Sequence, residues 1–136
     1  MFIIKVKRVN EIKAMLCCCE DITNTNEYFK ELKELGENLR NNNQLNSLLV
    51  FLNALSNKER LIIFSSLKEK DRCVCELEII LNKSQPSISH HLRILEGAGL
   101  IRGWKKGKFT YYGIEHKNFK ISQTDFIENL TLEKIA

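Results

Sequence analysis

The sequence contains no long apolar run, and this absence argues against a membrane-embedded protein. No stretch approaches the ~20 consecutive apolar residues that a membrane-spanning helix needs. Residues 1–9, MFIIKVKRV, hold too short an apolar run for a secretion signal, and no small-residue cleavage site follows them. We therefore expect a cytoplasmic protein with no membrane partner.

The motifs of common enzymes are absent as well. The sequence has no glycine-rich phosphate loop, no nucleophile elbow and no H-E-x-x-H metal motif. His90 and His91 adjoin no cysteine in the sequence, so a Cys/His hydrolase would require distant side chains to converge in a pocket. We therefore expect a protein that is not an enzyme and requires no cofactor.

Structural disulfide bonds are a third feature that the sequence does not favour. Five cysteines are an odd number, and in the cytoplasm thiols or metal ligands are more common than disulfides. Cys17, Cys18 and Cys19 are consecutive, which packing explains poorly and which favours a sensing or redox role. For Cys73 and Cys75, packing as small buried side chains is an equal alternative to sensing.

Apolar periodicity divides the 136 residues into one domain with an extension at each end. Residues 1–43 are predicted to form a helical N-terminal extension, which would be a dimerisation arm or a sensor arm. Residues 44–114 are predicted to form the central domain. Residues 115–136 are predicted to contain a C-terminal dimerisation helix that begins near Gln123.

Two serine or asparagine residues are predicted to begin helices. Asn24 and Glu27, and likewise Ser56 and Glu59, have the spacing of a capping box. The helix after Ser56 is expected to turn four apolar side chains toward the core: Leu61, Ile62, Phe64 and Leu67.

Residues 84–113 form the segment around which the rest of the chain is organised. Ser84 is predicted to cap a helix whose first turn accommodates Pro86, because a missing N–H costs nothing there. Glycines at 97 and 99 are expected to end this helix. Three apolar residues recur at i, i+4 and i+7 and form one stripe: Ile88, Leu92 and Leu95.

Polar and basic side chains surround this stripe and continue into a turn. The polar residues of the helix are Ser84, Gln85, Ser87, Ser89, His90 and Arg93, and the turn carries Lys105, Lys106 and Lys108. Residues 82–114 hold six basic residues and one acidic residue, so the chain's net positive charge comes from this segment, as phosphate neutralisation requires. This order predicts a mainly α-helical winged helix-turn-helix fold, with a small β-hairpin wing, that binds double-stranded DNA.

Residues 48–114 closely resemble the ArsR/SmtB family of winged-helix repressors. The resemblance is carried by LNALSNKERLIIFSSL, CVCELEIIL, SQPSISHHLRILEGAGLI and GKFTYYGI. It implies a homodimer that binds an inverted repeat in a promoter and that an inducer releases. It also implies that Ser84, Gln85, Ser87, Ser89 and His90 read DNA, that the wing lysines hold phosphates, and that His91 is structural.

The same resemblance implies a role for the cysteines. Cys73 and Cys75 match the family's sensing motif, and soft thiolates select Cd(II), Zn(II), Pb(II) or As(III). Glu78 stands where arsenic-sensing members have a third cysteine, so Cys17, Cys18 and Cys19 are the candidates for additional ligands. Three alternatives stay open: a thiol redox switch at these cysteines, a ligand-independent regulator with structural cysteines, and an interaction or metal-buffering module without DNA binding.

Overall fold

The computed structural model describes residues 5–18 and 23–130, apart from the side chains of residues 120–123 and 125. The chain divides into two compact units, Met1–Asn42 and Asn43–Ala136. The first unit contains the helices α1 (Val6–Leu16) and α2 (Thr25–Arg40). Among the described residues, no helix has the length and apolar character that crossing a membrane requires.

The α2 helix begins where its sequence predicts. Asn24 is extended, and its Oδ1 accepts a hydrogen bond from the backbone N–H of Glu27 at 3.2 Å. In the same unit, Lys13 Nζ of α1 lies 4.7 Å from the ring centroid of Phe29 of α2, a cation–π contact. The large apolar side chains of one α2 stripe are exposed: Tyr28, Leu32, Leu35 and Leu39.

The described part of the second unit contains five helices and a small sheet. The helices are α3 (Asn43–Leu55), α4 (Lys58–Glu69), α5 (Val74–Leu81), α6 (Gln85–Gly97) and α7 (His116–Leu130). The strands β1 (Arg72–Cys73), β2 (Ile101–Lys106) and β3 (Phe109–Ile114) form an antiparallel sheet in the order β1-β3-β2. The predicted helical fold with a hairpin wing is confirmed. The two-residue strand β1 was not predicted, because so short a segment has no readable alternation.

The apolar stripe of α6 forms the centre of the core. Ile88, Leu92 and Leu95 are at most 1% exposed, as their spacing predicts. The largest fully buried side chains come from several elements: Ile63, Leu77, Ile88, Leu92, Leu95 and Leu100. Burial of each such side chain stabilises the fold by roughly 1.5–3 kcal/mol. One face of α6 is therefore anchored in the core.

The predicted start of α4 is wrong by one position, and its predicted inward face is confirmed for Phe64 and Leu67 but wrong for Leu61 and Ile62. The N-cap is Asn57 rather than Ser56, and its Oδ1 accepts a hydrogen bond from the Arg60 N–H at 3.2 Å. The buried residues of α4 are Ile63, Phe64 and Leu67. Leu61 and Ile62 are 47% and 37% exposed, because successive helical residues are rotated by about 100° and only one face of α4 meets the core.

The last helix begins earlier than its sequence predicts. It starts at His116, not near Gln123, and it packs against α3 through Phe119. The ring centroid of Phe119 lies 6.3 Å from that of Phe51 and 5.2 Å from that of Phe64. These tilted aromatic contacts stabilise the first turns of α7 through long-range packing, which no local cap signals.

Two glycines with positive φ allow the change from helix to wing and the turn within the wing. Gly99, with φ of +73°, follows α6, and its N–H donates to the Glu96 carbonyl at 2.9 Å. Gly107, with φ of +64°, lies at the tip between β2 and β3. The wing therefore follows α6 after a single tight turn.

Candidate nucleic-acid interface

Ser84 occupies the N-cap position of α6, but its hydroxyl does not cap the helix. The residue is extended, and its carbonyl accepts the Ile88 N–H at 3.0 Å. Pro86 supplies no N–H in the first turn, which removes one of the two donors that a cap hydroxyl usually meets. Ser84 therefore holds the predicted N-cap position, but its side chain makes no capping hydrogen bond. Its hydroxyl lies at the exposed N-terminal end of α6.

The predicted DNA-reading residues lie on the side of α6 that does not enter the core. Ser84, Gln85, His90 and Arg93 are exposed, whereas Ser87 and Ser89 are half-buried. The exposed part of α6 thus carries hydroxyl, amide, imidazole and guanidinium groups, which are the groups that hydrogen-bond to base edges and phosphates. Their role in DNA reading stays a prediction.

The pairing of β2 with β3 separates the wing into two faces. Ile101 and Ile114 are paired and buried, so the face that they share is turned toward the core. The alternate positions share the opposite face, called here the outer face, on which Gly113 is buried and Trp104 and Tyr111 are half-buried: Arg102, Trp104, Lys106, Phe109, Tyr111 and Gly113. Lys105 pairs with Thr110 on the other face. Lys105 and Lys106 therefore project from opposite faces of the hairpin, near its exposed tip.

The outer face of the wing alternates cations with aromatic rings. Trp104 and Tyr111 are stacked, with ring centroids 6.4 Å apart and an interplanar angle of 17°. Arg102 Cζ lies 5.2 Å from the Trp104 ring centroid, and Lys106 Nζ lies 5.9 Å from that of Tyr111. Neither Arg102 nor Trp104 was among the residues predicted from the sequence to bind DNA. The signal was available in the period-two alternation that unites positions 102, 104 and 106.

A cleft of about 230 Å³ lies between α6, the wing and α5. Its lining residues come from all three elements: Val74, Cys75 and Glu78 from α5, Gln85 from α6, and Lys108, Phe109 and Thr110 from the wing. The cleft therefore brings a candidate base-reading residue and a candidate phosphate-binding residue to the same place as one of the sensing-motif cysteines.

The two cysteines of the sensing motif are in contact but differ in exposure. Their Sγ atoms lie 2.6 Å apart, with Cys73 buried and Cys75 exposed. Burial raises the pKa of the Cys73 thiol, and its hydrogen bond with Cys75 acts in the same direction. The Cys73 N–H donates to Glu76 Oε1 at 3.0 Å, and this hydrogen bond lowers the pKa of Glu76.

These two thiols supply only part of a metal site. A Zn–S distance near 2.3 Å and a tetrahedral angle place two sulfurs about 3.8 Å apart, so the Cys73 and Cys75 thiols would need to separate slightly to bind one ion. The described residues contain no group of three or more His, Cys, Asp or Glu side chains that could hold a metal ion. The pair thus fits a soft ion as two ligands and does not complete a site.

The remaining cysteine predictions fall in the first unit. Cys17 and Cys18 are exposed and directly follow α1, whereas Cys19 lies outside the described residues. Cys17 Sγ is 3.1 Å from Thr25 Oγ1, and Cys18 Sγ donates weakly to the Ala14 carbonyl at 3.8 Å. Both described thiols therefore have local partners in their own unit.

Arg60 connects the α3–α4 corner to α6. Its Nε donates to the Ala54 carbonyl at 2.6 Å, and its Nη1 lies 3.3 Å from His91 Nδ1. A guanidinium only donates hydrogen bonds, so His91 Nδ1 must be the acceptor. Burial, followed by the charge of Arg60, lowers the pKa of His91. This arrangement supports the predicted structural role of His91, in contrast to the exposed His90 beside it.

Comparison with known proteins places these features in a family context. The family model described as "Bacterial regulatory protein, arsR family" matches residues 57–102, from the N-cap of α4 to the start of β2. An uncharacterised HTH-type transcriptional regulator of Methanocaldococcus jannaschii, MJ1325, is 42% identical over 62 residues, which are 45% of this chain and 70% of that protein.

A second relative and a solved structure extend the comparison. The cadmium resistance transcriptional regulatory protein CadC of Listeria innocua is 40% identical over 72 residues, which are 52% of this chain and 59% of CadC. The chain thus spans less than two thirds of the length of CadC. The structure of HlyU from Vibrio cholerae superposes with a TM-score of 0.52 at 25% identity, over 60% of this chain and 95% of HlyU.

Proposed function

The chain belongs to the arsR family, whose members are DNA-binding transcriptional regulators and not enzymes, and from this membership we propose that it is a cytoplasmic repressor that binds an inverted-repeat operator as a homodimer. The observation that carries the proposal is the cleft that both Gln85 of α6 and Lys108 of the wing line. Gln85 would bind adenine through its amide, and Lys108 would bind a phosphate of the same site.

Exposed apolar side chains on α3 and α7 support the homodimer. These helices pack on each other, and their described side chains include large exposed apolar residues: Leu49 and Val50 on α3, and Phe126 and Leu130 on α7. Exposed apolar patches of this kind are typical of protein–protein interfaces. A symmetric dimer through them would present two α6 helices to successive major grooves, about 34–36 Å apart.

For the inducer, we propose a thiophilic metal ion, Cd(II), Zn(II), Pb(II) or As(III), with Cys73 and Cys75 as two of its ligands. The proposal is supported by two adjacent soft donors at the start of α5 and by the cadmium-resistance name of the relative CadC. When bound, the ion would hold both sulfurs as thiolates. A thiol redox response is the second candidate, and the contact between the two Sγ atoms favours it.

Fluorescence anisotropy with DNA from upstream of the protein's own gene tests the proposal. The reduced protein should bind this fragment more tightly than a shuffled fragment, and its affinity should fall steeply with salt. Equal affinity for both fragments would contradict operator binding.

The same assay, repeated with Cd(II), with As(III) and with a mild oxidant, tests the inducer. Release by metal that is lost in Cys73→Ser would support the thiolate site. A matched Cys17→Ser variant tests whether the first unit takes part in release. Binding that is indifferent to all three treatments would leave the cysteines as structural residues.

A further inference from the structure

The cleft between α5, α6 and the wing has a reactive group on one wall and the candidate DNA-binding groups on the others. The exposed thiol of Cys75 shares this cleft with Gln85 and Lys108. A chemical group attached to this sulfur would therefore lie between α6 and the wing tip, where the operator is proposed to bind.

We propose that Cys75 is a site of S-thiolation, at which a mixed disulfide with a low-molecular-weight thiol fills the cleft and lowers operator affinity. The regulatory part of this inference rests on the proposed function, because it requires Gln85 and Lys108 to face DNA. The reactivity of Cys75 itself does not depend on DNA binding and is measured separately.

Exposure distinguishes Cys75 from its neighbour. Cys73 is buried, with 6% of its surface exposed. A disulfide from solution therefore cannot approach it with its S–S bond aligned with the Cys73 sulfur, as the exchange reaction requires. Cys75 is therefore the thiol of this pair that an incoming disulfide meets first.

The proposed reaction is a thiol–disulfide exchange, and its co-reactant is a low-molecular-weight disulfide. The Cys75 thiolate attacks one sulfur of that disulfide, the new bond to Sγ forms, and the bond between the two small sulfurs breaks. The second small thiol leaves and takes up the proton that Cys75 has lost. The Cys73 sulfur, 2.6 Å from that of Cys75, can remove the added group by attacking Sγ. The small thiol then leaves with the proton that Cys73 has lost, and the pair remains oxidised as a Cys73–Cys75 disulfide.

The size of the cleft and the presence of Lys108 in its lining explain why such a group would oppose DNA binding. At about 230 Å³ it is smaller than the pockets of roughly 300 Å³ and more that enclose drug-sized ligands. A tripeptide-sized thiol would fill it and project beyond Gln85. Carboxylates on that group would pair with Lys108 and repel the phosphates that Lys108 is proposed to bind.

The experiment uses the full chain with Cys17, Cys18 and Cys19 replaced by serine, so that only the thiol pair can react. A Cys73→Ser change in this background prevents expulsion of the added group, and Cys73→Ala is a second version if serine is not tolerated at this buried position. The protein is treated with oxidised glutathione, and the adduct is located by mass spectrometry of proteolytic fragments. Operator affinity is measured by anisotropy before and after treatment, and again after reduction with dithiothreitol.

The expected result is one glutathionyl group on Cys75, a loss of operator affinity of about tenfold or more, comparable with the loss of a base contact, and recovery on reduction. A matched treatment with methyl methanethiolsulfonate adds only a small neutral group to the same sulfur and should weaken binding far less. Cys75→Ser, compared with itself before and after treatment, should show no change.

Three results would overturn the inference. The first is the absence of an adduct on Cys75 although the protein is folded by circular dichroism. The second is a Cys75 adduct that leaves a tight operator complex unchanged, which would overturn the inference while the proposed function stands. The third is a reduced protein that does not distinguish its operator from shuffled DNA, which would overturn the proposed function as well.

Discussion

Replacement of Lys106 by alanine tests the proposed contact between the wing and the phosphate backbone. Lys106 lies on the outer face of the hairpin, next to the tip, with its ammonium near the Tyr111 ring. Removal of the ammonium leaves the buried face of the wing, with Ile101 and Ile114, unchanged. The variant should therefore fold normally and differ from the wild type only in the electrostatic part of DNA binding.

The magnitude follows from the number of exposed cations on the proposed surface. Each chain carries five: Arg93, Arg102, Lys105, Lys106 and Lys108. If every one of the ten in a homodimer meets a phosphate, the slope of log K against log salt is roughly −9, since each contact contributes about −0.9. Lys106→Ala removes two contacts per dimer, so the slope should become shallower by about 1.8.

Anisotropy titrations at several salt concentrations measure this slope. Between about 50 and 200 mM salt, the ratio of wild-type to variant affinity should shrink about 12-fold. Lys68→Ala is the matched control, because Lys68 is exposed in the last turn of α4, outside α6 and the wing. A Lys106→Ala line parallel to that of the wild type would refute the assignment of this residue to the phosphate backbone.

Three further predictions concern base reading, the core and pH. Gln85→Ala should lose about 1–3 kcal/mol of discrimination at one operator position, measured by competition with single-base variants, and a uniform loss at all positions would contradict base reading. Leu77→Ala should lower the free energy of unfolding in urea by roughly 2–5 kcal/mol, because Leu77 is fully buried, whereas the exposed Ile79→Ala should change it little. Because burial and Arg60 lower the pKa of His91, the unfolded chain binds a proton first as the pH falls through about 6.5, so stability should drop below that pH and not above it. Urea unfolding should show that His91→Gln loses less stability than the wild type when the pH is lowered. An equal loss of stability in both proteins would contradict the role of His91.

Local patterns in the sequence were sufficient for the elements that carry the candidate interface. The spacing of Ile88, Leu92 and Leu95 predicted the buried face of α6, because a single helical face must hold every apolar residue that enters the core. A basic turn between two alternating segments predicted the wing. The family was also predicted from the motifs of this region, and the comparisons confirm it.

The starts of two helices were predicted wrongly, because the local sequence did not favour the correct first residue over its alternative. Ser56 and Asn57 are both favourable N-cap residues, and the chain uses Asn57 because it is the extended residue between α3 and α4. The start of α7 was misplaced for a related reason: Phe119 packs on Phe51 and Phe64, which lie more than fifty residues away in the chain. Such contacts outweigh weak local propensities.

By itself, the sequence determined which helix carries a polar face, where the positive charge is concentrated, and to which family the chain belongs. These properties depend on residue type and on short, regular spacing, which folding does not change. Only the tertiary structure decided that Arg102 and Trp104 share the outer face of the wing with Lys106, since this follows from the pairing of β2 with β3. It also decided that Cys75, Gln85 and Lys108 line one cleft. Residues of three separate elements meet there because the core packs α5, α6 and the wing together, and no spacing along the chain records that contact.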